Sequence, residues 1–144
     1  MRAMALDVGD KKIGVALSDE LGITANGLKT IERVGIKKDT SAIIDLIKEY
    51  NCTALVIGLP LNLDGSDSVQ TTKVREFYQK MSNKLKSFGL GDVDLQYQDE
   101  RFTTKIAESV LIEGDVRRNK RKEVIDKQAA VVILQSYLEK MKTR

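Results

Sequence analysis

Ala5-Leu6-Asp7-Val8-Gly9-Asp10-Lys11-Lys12-Ile13-Gly14-Val15-Ala16 reads as an apolar strand, a glycine turn and a second apolar strand. The first strand ends on a carboxylate. Burying an unpaired charge is costly, so an acid at the end of a core strand points to a use for it. Glu100 and Asp126 stand in similarly uncommon places, and the chain contains no histidine. Acids in such positions, without histidine, point to carboxylate and metal chemistry.

Working outward from this hairpin, strands are expected at 3–6 and 13–18, with a weaker one near 27–31. Ile43, Ile44, Ile47 and Tyr50 recur at helical spacing behind Asp39, Thr40 and Ser41, any of which is a candidate cap. Thr53-Ala54-Leu55-Val56-Ile57 is an unbroken apolar run closed by Gly58 and the only proline, Pro60. A strand buried on both faces reads this way. In the loop that follows, Leu59, Leu61 and Leu63 are expected to pin the chain to the core. Val74, Phe77, Tyr78, Met81, Leu85 and Phe88 mark one face of a long helix, ended by Gly89 and Gly91. Residues 93–97 alternate as a strand and run into Gln98-Asp99-Glu100-Arg101.

Beyond that strand, Thr103 or Thr104 is the expected cap of a helix carrying Ile106, Ala107, Val110 and Leu111. A loop through the basic residues leads to a last helix over about 123–140. Hairpin strands followed by alternating helices and strands make an α/β pattern with a mixed sheet. No repeat, low-complexity tract or linker interrupts the 144 residues, so a single domain over 1–144 is expected.

Composition narrows the function. Hydrophobic residues are 42% and charged residues 31%, ordinary for a soluble globular chain. No apolar run approaches the roughly 20 residues that span a bilayer. Cys52 is the only cysteine, and residues 1–4 lead straight into a strand without a signal-peptide core. A cytoplasmic location and no membrane partner are expected. Without histidine, Ser-His-Asp and Cys-His catalysis and the usual zinc sites are excluded within the chain. The net charge of +3 is uninformative, but Arg117, Arg118, Lys120, Arg121 and Lys122 fall within six residues. Alone, such a run reads as a solvated loop and helix start. Beside an acidic site it reads as a contact to a phosphate backbone.

Asp7 ends the first strand and Glu100 follows the last, and α/β sheets gather functional groups where loops leave strand ends. Asp126 shares a helix face with Ala130, Ile133 and Tyr137, at offsets of four, seven and eleven residues. That face must pack on the sheet, which aims Asp126 inward. The alternative, a helix-dipole role, suits the first turn better. Three converging acids raise one another's cost of ionisation, and a divalent cation removes that cost. Carboxylate oxygens suit Mg²⁺ or Mn²⁺. Two such ions about 4 Å apart activate water and stabilise the leaving oxygen in phosphodiester hydrolysis.

Other residues have two readings each. Gly9 and Gly14 serve either phosphate approach or tight turns and strand packing. Asn62 serves either substrate contact or its own loop, and Arg101 either holds phosphate or pairs with Asp99. Thr103 and Thr104 read as caps, Asp10 and Asp99 as supporting or solvated, and Tyr137 and Cys52 as packing residues.

In this order and length the motifs resemble the YqgF/RuvX family nearly end to end. Its marks are Leu6-Asp7-Val8-Gly9 with Lys12-Ile13-Gly14-Val15-Ala16, and Val56-Ile57-Gly58-Leu59-Pro60-Leu61-Asn62 with Asp64-Gly65. Later come Asp99-Glu100-Arg101-Phe102-Thr103-Thr104, Lys120-Arg121-Lys122, and Asp126 with Ala129-Ala130 and Ile133-Leu134-Gln135-Ser136-Tyr137. The resemblance implies an RNase H-like fold: a five-stranded mixed sheet, its first three strands antiparallel, flanked by helices. It implies that Asp7, Glu100 and Asp126 bind the metal, as the residues themselves suggest. Lys12 stands where arginine is commoner in the family. If that residue touches phosphate, a bidentate contact becomes a point-charge contact. Lys127-Gln128 replaces a more apolar pair.

The family is described both as nucleases that trim precursor ribosomal RNA and as Holliday junction resolvases. The leading expectation is therefore a metal-dependent nuclease processing the 5′ end of precursor small-subunit ribosomal RNA, with ribosomal particles as partners. RNA is preferred on family grounds alone, because phosphate contacts carry no such information. The alternatives are a resolvase acting on branched DNA and a nucleic-acid-binding module that does not cleave. An actin-like ATPase or sugar kinase, whose fold also opens on Asp-x-Gly and a turn, needs two such domains.

Overall fold

The computed structural model describes residues 2–100 and 118–142, and for 118–127 the backbone alone. The opening hairpin forms as its alternation requires: β1 (Ala3–Val8) pairs antiparallel with β2 (Lys12–Ser18), Asp7 opposite Gly14. At the turn, the Gly9 N–H donates to the Lys12 carbonyl at 2.9 Å. A Cβ at Gly9 would lie 2.9 Å from that oxygen, so only glycine closes the turn this tightly. β3 (Ala25–Glu32) continues antiparallel on β2, with a bulge at Val15/Ala16. β4 (Ala54–Leu59) lies parallel to β1, and β5 (Asp94–Asp99) parallel to β4. The five-stranded mixed sheet runs β3-β2-β1-β4-β5, with the first three strands antiparallel as expected.

Alternation sorts the central strands onto two layers. Met4, Leu6, Val8, Ile13, Val15, Leu55 and Ile57 pack against α1 (Ile36–Tyr50) and α2 (Val69–Ser87) through Ile43, Ile47, Phe77 and Met81. Ala3, Ala5, Ala16, Ala54 and Val56 face the other way, against Ala130, Ile133, Leu134 and Tyr137 of α3 (Arg118–Lys142). The small residues on this second face let α3 lie close to the sheet. No helix among the described residues is long and apolar enough to cross a membrane.

Four expectations need correction. α1 starts at Ile36 behind Gly35, with no side-chain cap. Asp39, 1% exposed, sits in its first turn and accepts from the Val34 N–H and Arg33 Nε, each at 3.0 Å. An acid tied to a preceding loop looks, in sequence, like a cap. α3 starts at Arg118, so Arg118, Lys120, Arg121 and Lys122 lie in helix and not in a loop. Lysine and arginine are good helix formers, and neither glycine nor proline interrupts this stretch. Leu63 is 64% exposed, because it stands in the turn closed by the Gly65 N–H to the Asn62 carbonyl; Leu59 is buried and Leu61 packs on the core. Phe88 is half-exposed at the C-cap of α2, where the chain leaves the helix and Gly89 takes a positive φ. The helix expected behind Thr103 or Thr104 lies outside the described residues.

The β1–β2 turn is fastened from the α1/α2 side. Arg33 Nη1 donates to the Gly9 carbonyl and Gln70 Nε2 to the Val8 carbonyl, both at 3.0 Å, and Lys73 reaches exposed Asp10 at 3.1 Å. Asp39 in turn holds Arg33. Asp39→Ala therefore leaves a half-buried guanidinium and the Val34 N–H unsatisfied, and should cost about 3 kcal/mol in urea unfolding. Asp45→Ala on the exposed side of α1 should change stability little.

Candidate acidic site

The strand register lines up one row across the α3-facing side of the sheet. Thr30 pairs with Gly14, Gly14 with Asp7, and Gly58 with Gln98. The β1–β4 register, with Leu6 opposite Ile57, brings Asp7 beside Gly58. Asp7, half-buried at the end of the central strand, is thus flanked by a glycine on each neighbouring strand. The absent side chains leave room above the sheet. Two residues past Gln98 and on the same side is Glu100, whose N–H donates to the Leu59 carbonyl at 3.2 Å and which is 6% exposed.

The Glu100 carboxylate fills the space over Gly58. A Cβ on Gly58 would lie 2.9 Å from Glu100 Oε2 and 2.5 Å from Ile133 Cδ1 of α3. Burial pushes the Glu100 carboxyl up to about 8, and the charges of Asp7 and Asp99 push in the same direction. Near neutral pH Glu100 thus holds a proton unless a cation offsets the neighbouring charge. A donor set of carboxylate oxygens beside a glycine-cleared space fits a hard divalent ion.

The other expected site residues divide clearly. Lys12 lies two residues before Gly14 on the same side of β2, half-buried, with Glu32 as its strand partner. Asn62 is exposed, and its Nδ2 is engaged within its own loop, donating to Ser66 Oγ at 3.0 Å and the Asp67 carbonyl at 3.3 Å. Asp126 lies in the backbone of α3, seven residues before Ile133; its side chain, and those of Arg118, Lys120, Arg121 and Lys122, lie outside the described residues. So do Arg101 and Arg117. Among the described residues no three acids, cysteines or histidines form a metal-sized group. Cys52 is buried, and burial pushes its thiol up to about 11, in keeping with a packing role.

Sequence reading missed Gly58 and Gln98 as parts of the site. Gln98 Oε1 is buried and accepts no hydrogen bond from any described residue. The signal for both was the spacing of Gln98 and Glu100 along one strand, but their meeting with Gly58 depends on register.

The family model described as RuvX: Holliday junction resolvase matches residues 1–140. The chain belongs to this family. Among its relatives is a protein of Desulforamulus reducens named "Putative pre-16S rRNA nuclease", 48% identical over 139 residues, covering 96% of this chain and 97% of that one. A protein of the same name from Clostridioides difficile is 48% identical, covering 96% and 94%. The RuvC resolvase of Thermus thermophilus, solved with a Holliday junction substrate, shares the fold with a TM-score of 0.60 and 11% identity over 99% and 97% of the two chains. The Fowlpox virus resolvase, solved with Holliday junction DNA, gives 0.59 and 14% over 98% and 99%. These likenesses show the fold alone, a mixed five-stranded sheet flanked by helices.

Two measurements check the geometry. Gly58→Ala should destabilise the protein by about 1–3 kcal/mol in urea unfolding, because the methyl displaces Glu100 or Ile133. Gly91→Ala, at a position with open space around it, should be nearly neutral. The second is pH dependence without metal. The folded chain keeps the Glu100 proton to about pH 8, whereas an unfolded glutamate loses it near 4.5. Stability in EDTA should therefore fall as pH rises through that window and level off above it. Glu100→Gln should flatten that decline.

Proposed function

We infer that this chain is a divalent-metal-dependent nuclease that hydrolyses phosphodiester bonds. The observation that carries the reading is the Glu100 carboxylate, buried over Gly58 with Asp7 next to that glycine on β1, and raised by its burial first and by the Asp7 charge second. Structural stability alone would not favour such a pair, because each acid makes the other harder to ionise.

Asp7, Glu100 and Asp126 are the residues that would hold Mg²⁺ or Mn²⁺. When bound, the ions supply an activated water and charge stabilisation at the leaving oxygen. Asp7 is carried on the central strand, hydrogen-bonded on both sides, which fixes the backbone of one acid. Glu100 lies under α3 and excludes water from the inner side of the site. Lys12 on the same sheet face and the basic run Arg117, Arg118, Lys120, Arg121 and Lys122 are the groups that would hold the nucleic-acid backbone, with Arg101 and Asn62 as further contacts.

The name of the relatives supports precursor 16S ribosomal RNA as the substrate; trimming of its 5′ end, with pre-ribosomal particles as the setting, belongs to the same proposal. The family description supports a second reading, cleavage of branched DNA. Incubation with labelled precursor RNA and a four-way DNA junction, in Mg²⁺ or Mn²⁺ and in EDTA, separates the two. Cutting of one substrate should require metal. Asp7→Asn, Glu100→Gln and Asp126→Asn should each lower it by a factor on the order of 100 or more. Binding without cutting, unchanged in all three variants, would leave a nucleic-acid-binding module in place of an enzyme.

A further inference from the structure

We propose that Arg75 is a stacking platform for an unpaired nucleobase of the strand held at the acids; this rests on the nuclease reading above. The guanidinium is fixed in its plane, Nε and Nη2 donating to the two carboxylate oxygens of Asp67 at 2.9 and 3.0 Å. Its Cζ lies over the Tyr97 ring, 5.5 Å from the centroid. Tyr97 is in turn held by Tyr78, three residues further along α2, with ring centroids 3.9 Å apart. Asp67 is anchored as well: its carbonyl accepts from Asn62 Nδ2 at 3.3 Å and its backbone bridges to Leu61. Despite these contacts the Arg75 side chain is 43% exposed. A planar cation is thus held still and left open to solvent.

The chemistry left over says what such a group would take. An exposed ion pair contributes little to stability, so stability alone does not account for this much ordering of one side chain. The Asp67 carboxylate offsets the charge and takes up two donors of the fork, which phosphate would need for a bidentate contact. What remains is Nη1 and a flat, weakly hydrated surface, which suits the face of a base. The place ties that base to the strand at the acids. The β4–α2 loop leaves at Leu59, whose carbonyl holds the Glu100 N–H, and reaches Asp67 just before the Ser68 cap of α2. Tyr97 stands three residues before Glu100, about 10 Å along β5. A strand leaving the acids along this loop therefore comes to Arg75. Paired strands keep their base faces stacked on one another, so the platform takes unpaired bases, with little regard to sequence.

The test compares wild type with Arg75→Lys and Arg75→Phe, each first checked for native thermal unfolding. Fluorescence anisotropy in Ca²⁺ gives affinities for a short labelled single-stranded DNA and for an abasic strand of the same length, which carries the phosphates without the bases. Wild type should hold the base-bearing strand about fivefold to tenfold more tightly. Arg75→Lys keeps the charge and the long stem but has no plane. It should bring the two affinities together and leave that for the abasic strand unchanged. Arg75→Phe offers a plane without charge and should keep the preference. A wild type without preference, an unchanged preference in Arg75→Lys, an equal loss on both strands, or a loss of preference in Arg75→Phe each overturns the proposal. The nuclease reading is tested apart, by metal-dependent cutting in wild type and Asp7→Asn, and stands or falls whatever Arg75 does.

Discussion

Two carboxyl groups sharing a poorly solvated corner of the sheet constrain everything around them. Asp7 and Glu100 come from different strands, and their neighbours are chosen to let them meet: glycine at 14 and 58, a close-packed α3 above, and a buried leucine carbonyl to hold the Glu100 backbone. Coulomb repulsion and desolvation both act against the ionised pair. A fold under selection for stability alone would place an apolar side chain at one of these positions.

The opposite layer supplies the rigidity. Asp7 is followed at once by a turn whose carbonyls are gripped by Arg33 and Gln70, from the loop before α1 and from the first turns of α2. Arg33 is held by buried Asp39 and also lies over the Phe77 ring at 5.5 Å. In the same layer, toward the β5 end of the sheet, Tyr78 of α2 stacks on Tyr97 of β5 at 3.9 Å and donates to the Leu95 carbonyl at 3.0 Å. The same helix layer thus grips both acid-bearing strands, which ties the geometry of the acids to the packing of the hydrophobic core.

Much of this was legible in the sequence because alternation and apolar runs are local signals. The hairpin, the doubly buried strand around Val56, the long α2 and the odd placement of Asp7 and Glu100 follow from periods of two and 3.6. What was not legible depended on distant partners. Asp39 has the chemistry of a cap, and only the position of Arg33 and Val34 shows that its oxygens serve the loop. The basic run at the head of α3 has no apolar stripe to reveal its helical state. Gly58 and Gln98 become site residues only once β4 and β5 are set in register, which no local pattern specifies.

The order of the strands also divides the pair dynamically. Among the described residues, β1 is the middle of five strands and is bonded along both sides, whereas β5 lies at the edge and is bonded to β4 alone. Edge elements open at lower free energy than central ones. The Asp7 amide is therefore expected to exchange more slowly than those of β5, the strand that leads into Glu100. Fluctuation in the distance between the two carboxylates is set by the edge, so any ligand that bridges them acts as a clasp on β5 and slows amide exchange along that strand more than anywhere on β1.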